Sequence, residues 1–179
     1  ATARRVGMQG WSGLEWAEGL PGTIGGAVYG NAGCYGGDIA SMLECAWILT
    51  DENGDATVQV WPVERFQYGY RTSSLKMLGT TEDQQTPHTT IIRPGAPLSP
   101  VILAADMRVR AASPQQVTAT MAHIASQRKA RSPWGSSCGS VFKNPPPRAD
   151  GTALSAGQLI DQAGLKGTRM GAAEVSQIH

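Results

Sequence analysis

The stretch Gly19-Leu-Pro-Gly-Thr-Ile-Gly-Gly-Ala-Val-Tyr-Gly-Asn-Ala-Gly-Cys-Tyr-Gly-Gly37 decides how the rest of this chain is read. Its glycines at 22, 25, 26, 30 and 33 let a backbone approach a ligand closely and aim successive N–H groups at one point, and such a nest binds phosphate. A set of structural glycine turns accounts for the same residues as well, because glycine patterns carry little specificity. Two familiar phosphate loops are excluded. The chain contains no G-x-G, so neither a dinucleotide fingerprint nor a glycine-rich kinase loop fits, and no Gly-Lys pair, so there is no Walker A loop.

Outward from this stretch the chain alternates strands and helices. Ala46 to Thr50, the turn Asp51-Glu-Asn-Gly54 and Ala56 to Trp61 predict a β-hairpin, in which Asn-Gly supplies positive φ. Residues 77–100 are polar, carry Pro87, Pro94 and Pro97, and read as a long excursion. Val101 to Arg110 predicts a strand. Val101, Leu103, Ala105, Met107 and Val109 share one face, and Asp106, Arg108 and Arg110 the other. A helix follows, with Ser113 as cap, Pro114 in the first position and Gln116 closing a capping box. Val117, Met121 and Ile124 form its buried stripe. A second helix opens on Ser155 and Gln158 in the same way and stops at Gly164. No internal repeat occurs, and the boundary between two structural units is expected near residue 110.

Composition narrows the function classes. With 41% hydrophobic and 16% charged residues among 179, the chain is too apolar for disorder. A net charge of +1 offers no field to grip nucleic acid or an anionic membrane, and no run approaches the length of a membrane helix. Cys34, Cys45 and Cys138 are odd in number and form no C-x-x-C; His88, His123 and His179 are far apart. A reducing compartment is implied, and metal chemistry is not expected.

Two further motifs carry chemistry. Phe66-Gln-Tyr-Gly-Tyr-Arg-Thr-Ser-Ser-Leu-Lys76 places Arg71 among tyrosines and hydroxyls, where its planar fork can clamp a carboxylate or phosphate. A surface salt bridge with aromatic cover is the other reading. Gly135-Ser-Ser-Cys-Gly-Ser-Val-Phe-Lys-Asn-Pro145 leads small residues into a short apolar strand. Its serines do not fit G-x-S-x-G and have no His-Asp partner. A serine there could still donate a proton to a strong carbon base; a tight turn before a strand is the alternative.

Together and in order, these segments resemble the UDP-N-acetylenolpyruvoylglucosamine reductase (MurB) family. The resemblance rests on Gly13-Leu-Glu-Trp-Ala-Glu-Gly-Leu-Pro-Gly-Thr-Ile-Gly-Gly-Ala27, Asn31-Ala-Gly-Cys-Tyr-Gly36, Tyr70-Arg-Thr-Ser73 and Cys138-Gly-Ser-Val-Phe-Lys-Asn-Pro145. Ala156 to Gly167 and Gly171 to His179 fit as well. The resemblance implies an α+β fold. Residues 1–110 would be the second half of a vanillyl-alcohol-oxidase/PCMH-type FAD-binding domain, and 111–179 most of a MurB-type α/β substrate-binding domain. The compact stretch before Ser140 is similar to the second subtype. The first half of the FAD domain and a catalytic glutamate are expected outside the chain, which reads as an internal piece, inactive by itself.

The implied activity is cytoplasmic. It is the FAD-dependent, NADPH-driven reduction of UDP-N-acetylglucosamine enolpyruvate to UDP-N-acetylmuramate in peptidoglycan synthesis, by an enzyme monomeric when complete. Arg71 and Ser140 match the family's catalytic arginine and serine. Pro21, Gly22, Thr23, Gly25, Gly26, Ala27, Asn31 and Gly33 fall where FAD is held, and Tyr70, Arg131, Asn144 and His179 where the substrate is held. Glu174 stands where many relatives carry glutamine. A non-catalytic flavin- or nucleotide-binding remnant and another FAD oxidoreductase of the same superfold are the alternatives.

Overall fold

The computed structural model describes residues 1–52, 55–78, 99–133 and 135–178. Its elements in chain order are α1 (Thr2–Met8), β1 (Trp11–Ser12), α2 (Ile24–Gly30), β2 (Gly33–Cys34), β3 (Gly37–Asp38), α3 (Ile39–Met42), β4 (Leu43–Glu52), β5 (Asp55–Pro62), α4 (Ser74–Leu78), β6 (Val101–Met107), β7 (Arg110–Ala111), α5 (Pro114–Arg131), α6 (Ala156–Gln162), β8 (Arg169–Met170) and β9 (Ala173–Glu174). The fold is α+β, as the sequence implies. It divides into two compact units, Ala1–Ile124 and Ala125–His179. This division falls after residue 110 because β7 pairs with β1, and the first half of α5 packs on α1 through Ala3, Val117 and Met121.

The expected hairpin is the spine of the first unit. β4 and β5 are antiparallel with Trp47 opposite Val60 and Leu49 opposite Val58, and β6 pairs along the other side of β4. The turn residues Asn53 and Gly54 lie outside the described residues. Leu43, Ala46 and Ile48 of β4 are buried with Val28 of α2, Ile39, Trp61, Phe66 and Leu75. Phe66 is fully buried, stacked on Tyr68 at 5.1 Å and edge-on to Trp61 at 5.5 Å.

Strand β6 corrects the sequence reading. Ile102, Ala105 and Met107 face the core, whereas Val101 and Leu103 are more than half or half exposed, at 50% and 54%. Trp47 pairs with Ala104 but Ile48 with Ile102, so Leu103 is an extra residue on β6. One inserted residue exchanges the two faces of a strand. A second register shift between Leu43 and Cys45 explains why both Leu43 and Ala46 point inward.

Thr23 caps α2, its side chain accepting from the Gly26 N–H at 3.0 Å. Residues 24 to 30 of the glycine stretch therefore form a short capped helix rather than a set of turns. Gly37 reflects close approach: a Cβ there would sit 2.4 Å from Cδ1 of Trp16.

The second unit is built from local signals. Ser155 and Gln158 form the expected capping box. Gly164 takes φ +68, its N–H donating to Asp161 O and that of Leu165 to Ile160 O, which closes the helix end. The box expected at Ser113 is absent, because its hydroxyl donates to Gln115 Oε1 at 2.7 Å. The strand expected at Val141-Phe142 is also absent; both residues are largely exposed, without a hydrogen-bonded neighbouring strand among the described residues. None of the unit's described residues is buried.

Candidate active site

The first unit encloses a cavity of about 590 Å³, within the size range of small-molecule sites. One wall is the stretch from Leu20 to Ile24 with Gly26, Ala27 and Gly30, and the others include Trp16, Gly33, Ile39, Ala105 and Met107. Two cationic side chains, Arg71 and Lys76, line it, and among the described residues no carboxylate does. The cavity therefore favours an anionic ligand with apolar parts.

The glycines make its wall thin. A Cβ at Gly22 would meet nothing within 4 Å, and one at Gly30 only Lys76 Nζ at 3.8 Å. Side chains at these positions would have room to project rather than clash, so glycine leaves space that a ligand can take. Trp16 also lines the cavity, and its Nε1 is a buried donor with no partner among the described residues. Such an orphan costs roughly 1–3 kcal/mol until an acceptor reaches it. Glycine space and two cations fit a phosphate-bearing ligand.

Arg71 is positioned by a turn. Gly69 and Thr72 exchange backbone hydrogen bonds at 3.2 and 3.3 Å, and between them Arg71 adopts φ +56. A side chain in this left-handed region costs about 1–2 kcal/mol, so other contacts must hold it. The guanidinium supplies some of them. Nη2 donates to Gly33 O at 2.9 Å and Nη1 to Asn31 O at 3.5 Å. Arg71 has no carboxylate partner among the described residues, and the surface-salt-bridge reading fails. Two of its five donors go to carbonyls; the rest of a fixed, charged fork is available to a ligand.

The structure gathers Pro21, Gly22, Thr23, Gly26, Ala27, Gly33 and Arg71 around this cavity. Gly25 instead faces β6, where its Cβ would lie 3.7 Å from Ile102. Asn31 is buried and structural: Nδ2 donates to Gly69 O at 3.1 Å and Oδ1 accepts from the Ala40 N–H at 3.0 Å. Tyr70 is exposed, with the Arg71 guanidinium 5.5 Å from its ring centre. In the second unit Ser140 and Arg131 are exposed, and Asn144 Oδ1 accepts from the Ala156 N–H at 3.0 Å, ahead of α6. His179 lies outside the described residues. Lys76 and Trp16 are among the wall residues that reading the sequence left unassigned. Lys76 closes the same motif as Arg71, five residues on, and that proximity was its only signal.

Residues 128–179 match the C-terminal domain of UDP-N-acetylenolpyruvoylglucosamine reductase. A reductase of that name from Chloroflexus aggregans is 52% identical over 99% of this chain and 52% of its own length. Over 99% of its own length the chain is similar to UDP-N-acetylenolpyruvoylglucosamine reductases. A Chloroflexus aurantiacus member is 47% identical, again over 99% of this chain and 52% of its own length. The crystal structure of the Thermus caldophilus reductase superimposes with a TM-score of 0.73 at 30% identity, covering 99% of this chain and 55% of that one. The chain thus spans about half the length of the reductases it matches. Among the described residues no helix is long and apolar enough to cross a membrane, and no cluster of His, Cys, Asp and Glu could hold a metal ion.

Proposed function

We propose that this chain works within a reductase that converts UDP-N-acetylglucosamine enolpyruvate to UDP-N-acetylmuramate with FAD and NADPH, in peptidoglycan synthesis. Residues 1–110 serve the FAD side, and 111–179 the substrate side. The observation that carries the reading is Arg71: a fixed cation in a glycine-walled cavity with no acid on its lining among the described residues. The ordered family motifs support it.

FAD, reduced by NADPH, supplies the hydride that the enol ether accepts. Pro21, Gly22, Thr23, Gly26 and Ala27 line the wall that would hold it, and Gly22 and Gly26 leave bare backbone there. The guanidinium of Arg71 faces the substrate carboxylate and stabilises the negative charge that develops there; being already anchored on Gly33 O, it needs no reorganisation at that moment. Ser140 delivers its hydroxyl proton to the carbon next to the carboxylate. A neutral hydroxyl suffices because the acceptor is a strong base and placement matters more than resting acidity. Tyr70, Arg131, Asn144 and His179 contribute to holding the sugar nucleotide.

The test is stopped-flow kinetics of Ser140→Ala in a reductase carrying residues 1–179. Flavin reduction by NADPH should stay near wild type. The substrate half-reaction should slow by about 10²- to 10⁴-fold, the range of general acid catalysis. Equal slowing of both halves would remove Ser140 as proton donor, and a protein that takes up no flavin would remove the FAD reading.

A further inference from the structure

Lys76 has a rigid footing. Its neighbours Leu75 and Ser73 are buried, and Ser73 Oγ donates to Tyr29 O at 2.6 Å. From this base the ammonium donates to the Arg71 carbonyl at 2.6 Å and lies 5.7 Å from the Tyr29 ring centre. It borders the same cavity as the Arg71 guanidinium. A charge-assisted bond of this kind is stronger than a neutral one, and it ends on the backbone of the one residue in the turn that holds positive φ.

We propose that Lys76 is the positioning residue for Arg71: its ammonium fixes the Arg71 carbonyl in the left-handed turn and so aims the guanidinium past Gly33 into the cavity. This rests on the reading of Arg71 as the group that meets the substrate. Without the bond, the turn relaxes toward the negative φ that side chains prefer. The guanidinium then leaves the Gly33 carbonyl, and its charge is displaced from the reacting carbons. A displacement of about 1 Å is enough to cost on the order of 10²-fold in rate. The Lys76 charge also reinforces the cavity's preference for anions, but its contact with a carbonyl makes its first duty geometric.

Lys76→Met keeps the stem and removes the donor; Lys76→Arg keeps a donor. In a reductase carrying residues 1–179, Lys76→Met should lower kcat by about 10- to 100-fold while KM for the enolpyruvyl sugar stays within about threefold. Lys76→Arg should recover most of the loss. Added to Arg71→Ala, Lys76→Met should slow turnover no further, because the residue it positions is gone. Nitrogen-15 NMR gives a readout independent of turnover: resolved Arg71 guanidinium signals in the wild type should average in Lys76→Met. Should Lys76→Met not fold, Lys76→Leu, which also lacks a donor, carries the same cycle. Additive losses in the Arg71→Ala background would overturn the proposal, as would ordered guanidinium signals with unaltered kcat in Lys76→Met. Arg71→Ala with full turnover would instead overturn the role of Arg71 itself, so the two failures are distinguishable.

Discussion

Asn31 and Arg71 hold each other in left-handed backbone conformations. Asn31, at φ +47, donates Nδ2 to Gly69 O at the entry of the Arg71 turn, and Arg71, at φ +56, reaches back with Nη1 to Asn31 O. The clasp joins the end of α2 to the turn before α4, and so ties the glycine wall of the cavity to its cation. Asn31 falls among residues matched to FAD holding, but the structure uses its side chain to build the site rather than to line it.

Asn31→Asp therefore tests the clasp. The carboxylate keeps the acceptor for the Ala40 N–H but loses the donor to Gly69 O, and places two oxygens together in a buried spot. The expected cost is about 1–3 kcal/mol of stability, read from the urea midpoint at pH 7. A midpoint equal to wild type would show that the Asn31 amide does not support the turn.

Gly30→Ala should move stability and binding in opposite directions. Gly30 ends α2, and replacing helical glycine with alanine stabilises by roughly 0.5–1 kcal/mol. The new methyl has room, with only Lys76 Nζ within 4 Å, but it occupies the cavity. Thermal unfolding should rise slightly while FAD affinity, titrated by fluorescence quenching in a reductase carrying the substitution, falls. Unchanged affinity would place the flavin elsewhere.

What was legible in the sequence was local. The stripe Val117, Met121, Ile124, the hairpin pairing of Trp47 with Val60, and the box of Ser155 with Gln158 depend on residues close in the chain. The inward face of β6 was not legible, because the extra residue at Leu103 is defined only against β4. The glycine stretch became a helix because Thr23 caps it, a signal masked by glycines whose weak propensity points to turns. Arg71 was legible as a cation with a task. Its anchoring on Gly33, 38 residues away, was not, since no local pattern encodes a contact between a turn and a distant carbonyl.

Gly37→Ala should destabilise by displacing the Trp16 ring, although Gly37 itself does not line the cavity. Its Cβ would fall 2.4 Å from Trp16 Cδ1 and 2.5 Å from Cγ, and Trp16 is buried and braced by the Cys34 thiol on its carbonyl at 3.1 Å. An indole ring cannot yield by that much without moving its neighbours, so the expected loss is about 1–3 kcal/mol, typical of overpacking. Trp16 fluorescence should shift in the folded variant. A midpoint within experimental error of wild type would mean that the contact between β3 and the Trp16 ring is looser than described.

Tyr68 should make the protein sensitive to alkali. Its hydroxyl donates to Val28 O at 2.8 Å, its ring stacks on Phe66, and burial pushes its pKa above the ordinary phenol range. The folded state therefore releases this proton later than the unfolded chain, whose tyrosine titrates near 10. The stability linked to this group is fully present below about pH 10 and is lost as pH rises toward the folded-state value, because the unfolded chain ionises first. Tyr68→Phe loses the bond to Val28 O, a cost of about 1 kcal/mol at pH 7. It also loses the alkaline sensitivity, so the stability difference between wild type and variant should shrink from pH 9 to pH 11 in urea unfolding. Tyr68 should ionise above the ordinary phenol range in a spectrophotometric titration. A difference that stays constant across that range would show that Tyr68 ionises as readily in the folded protein as in the unfolded one.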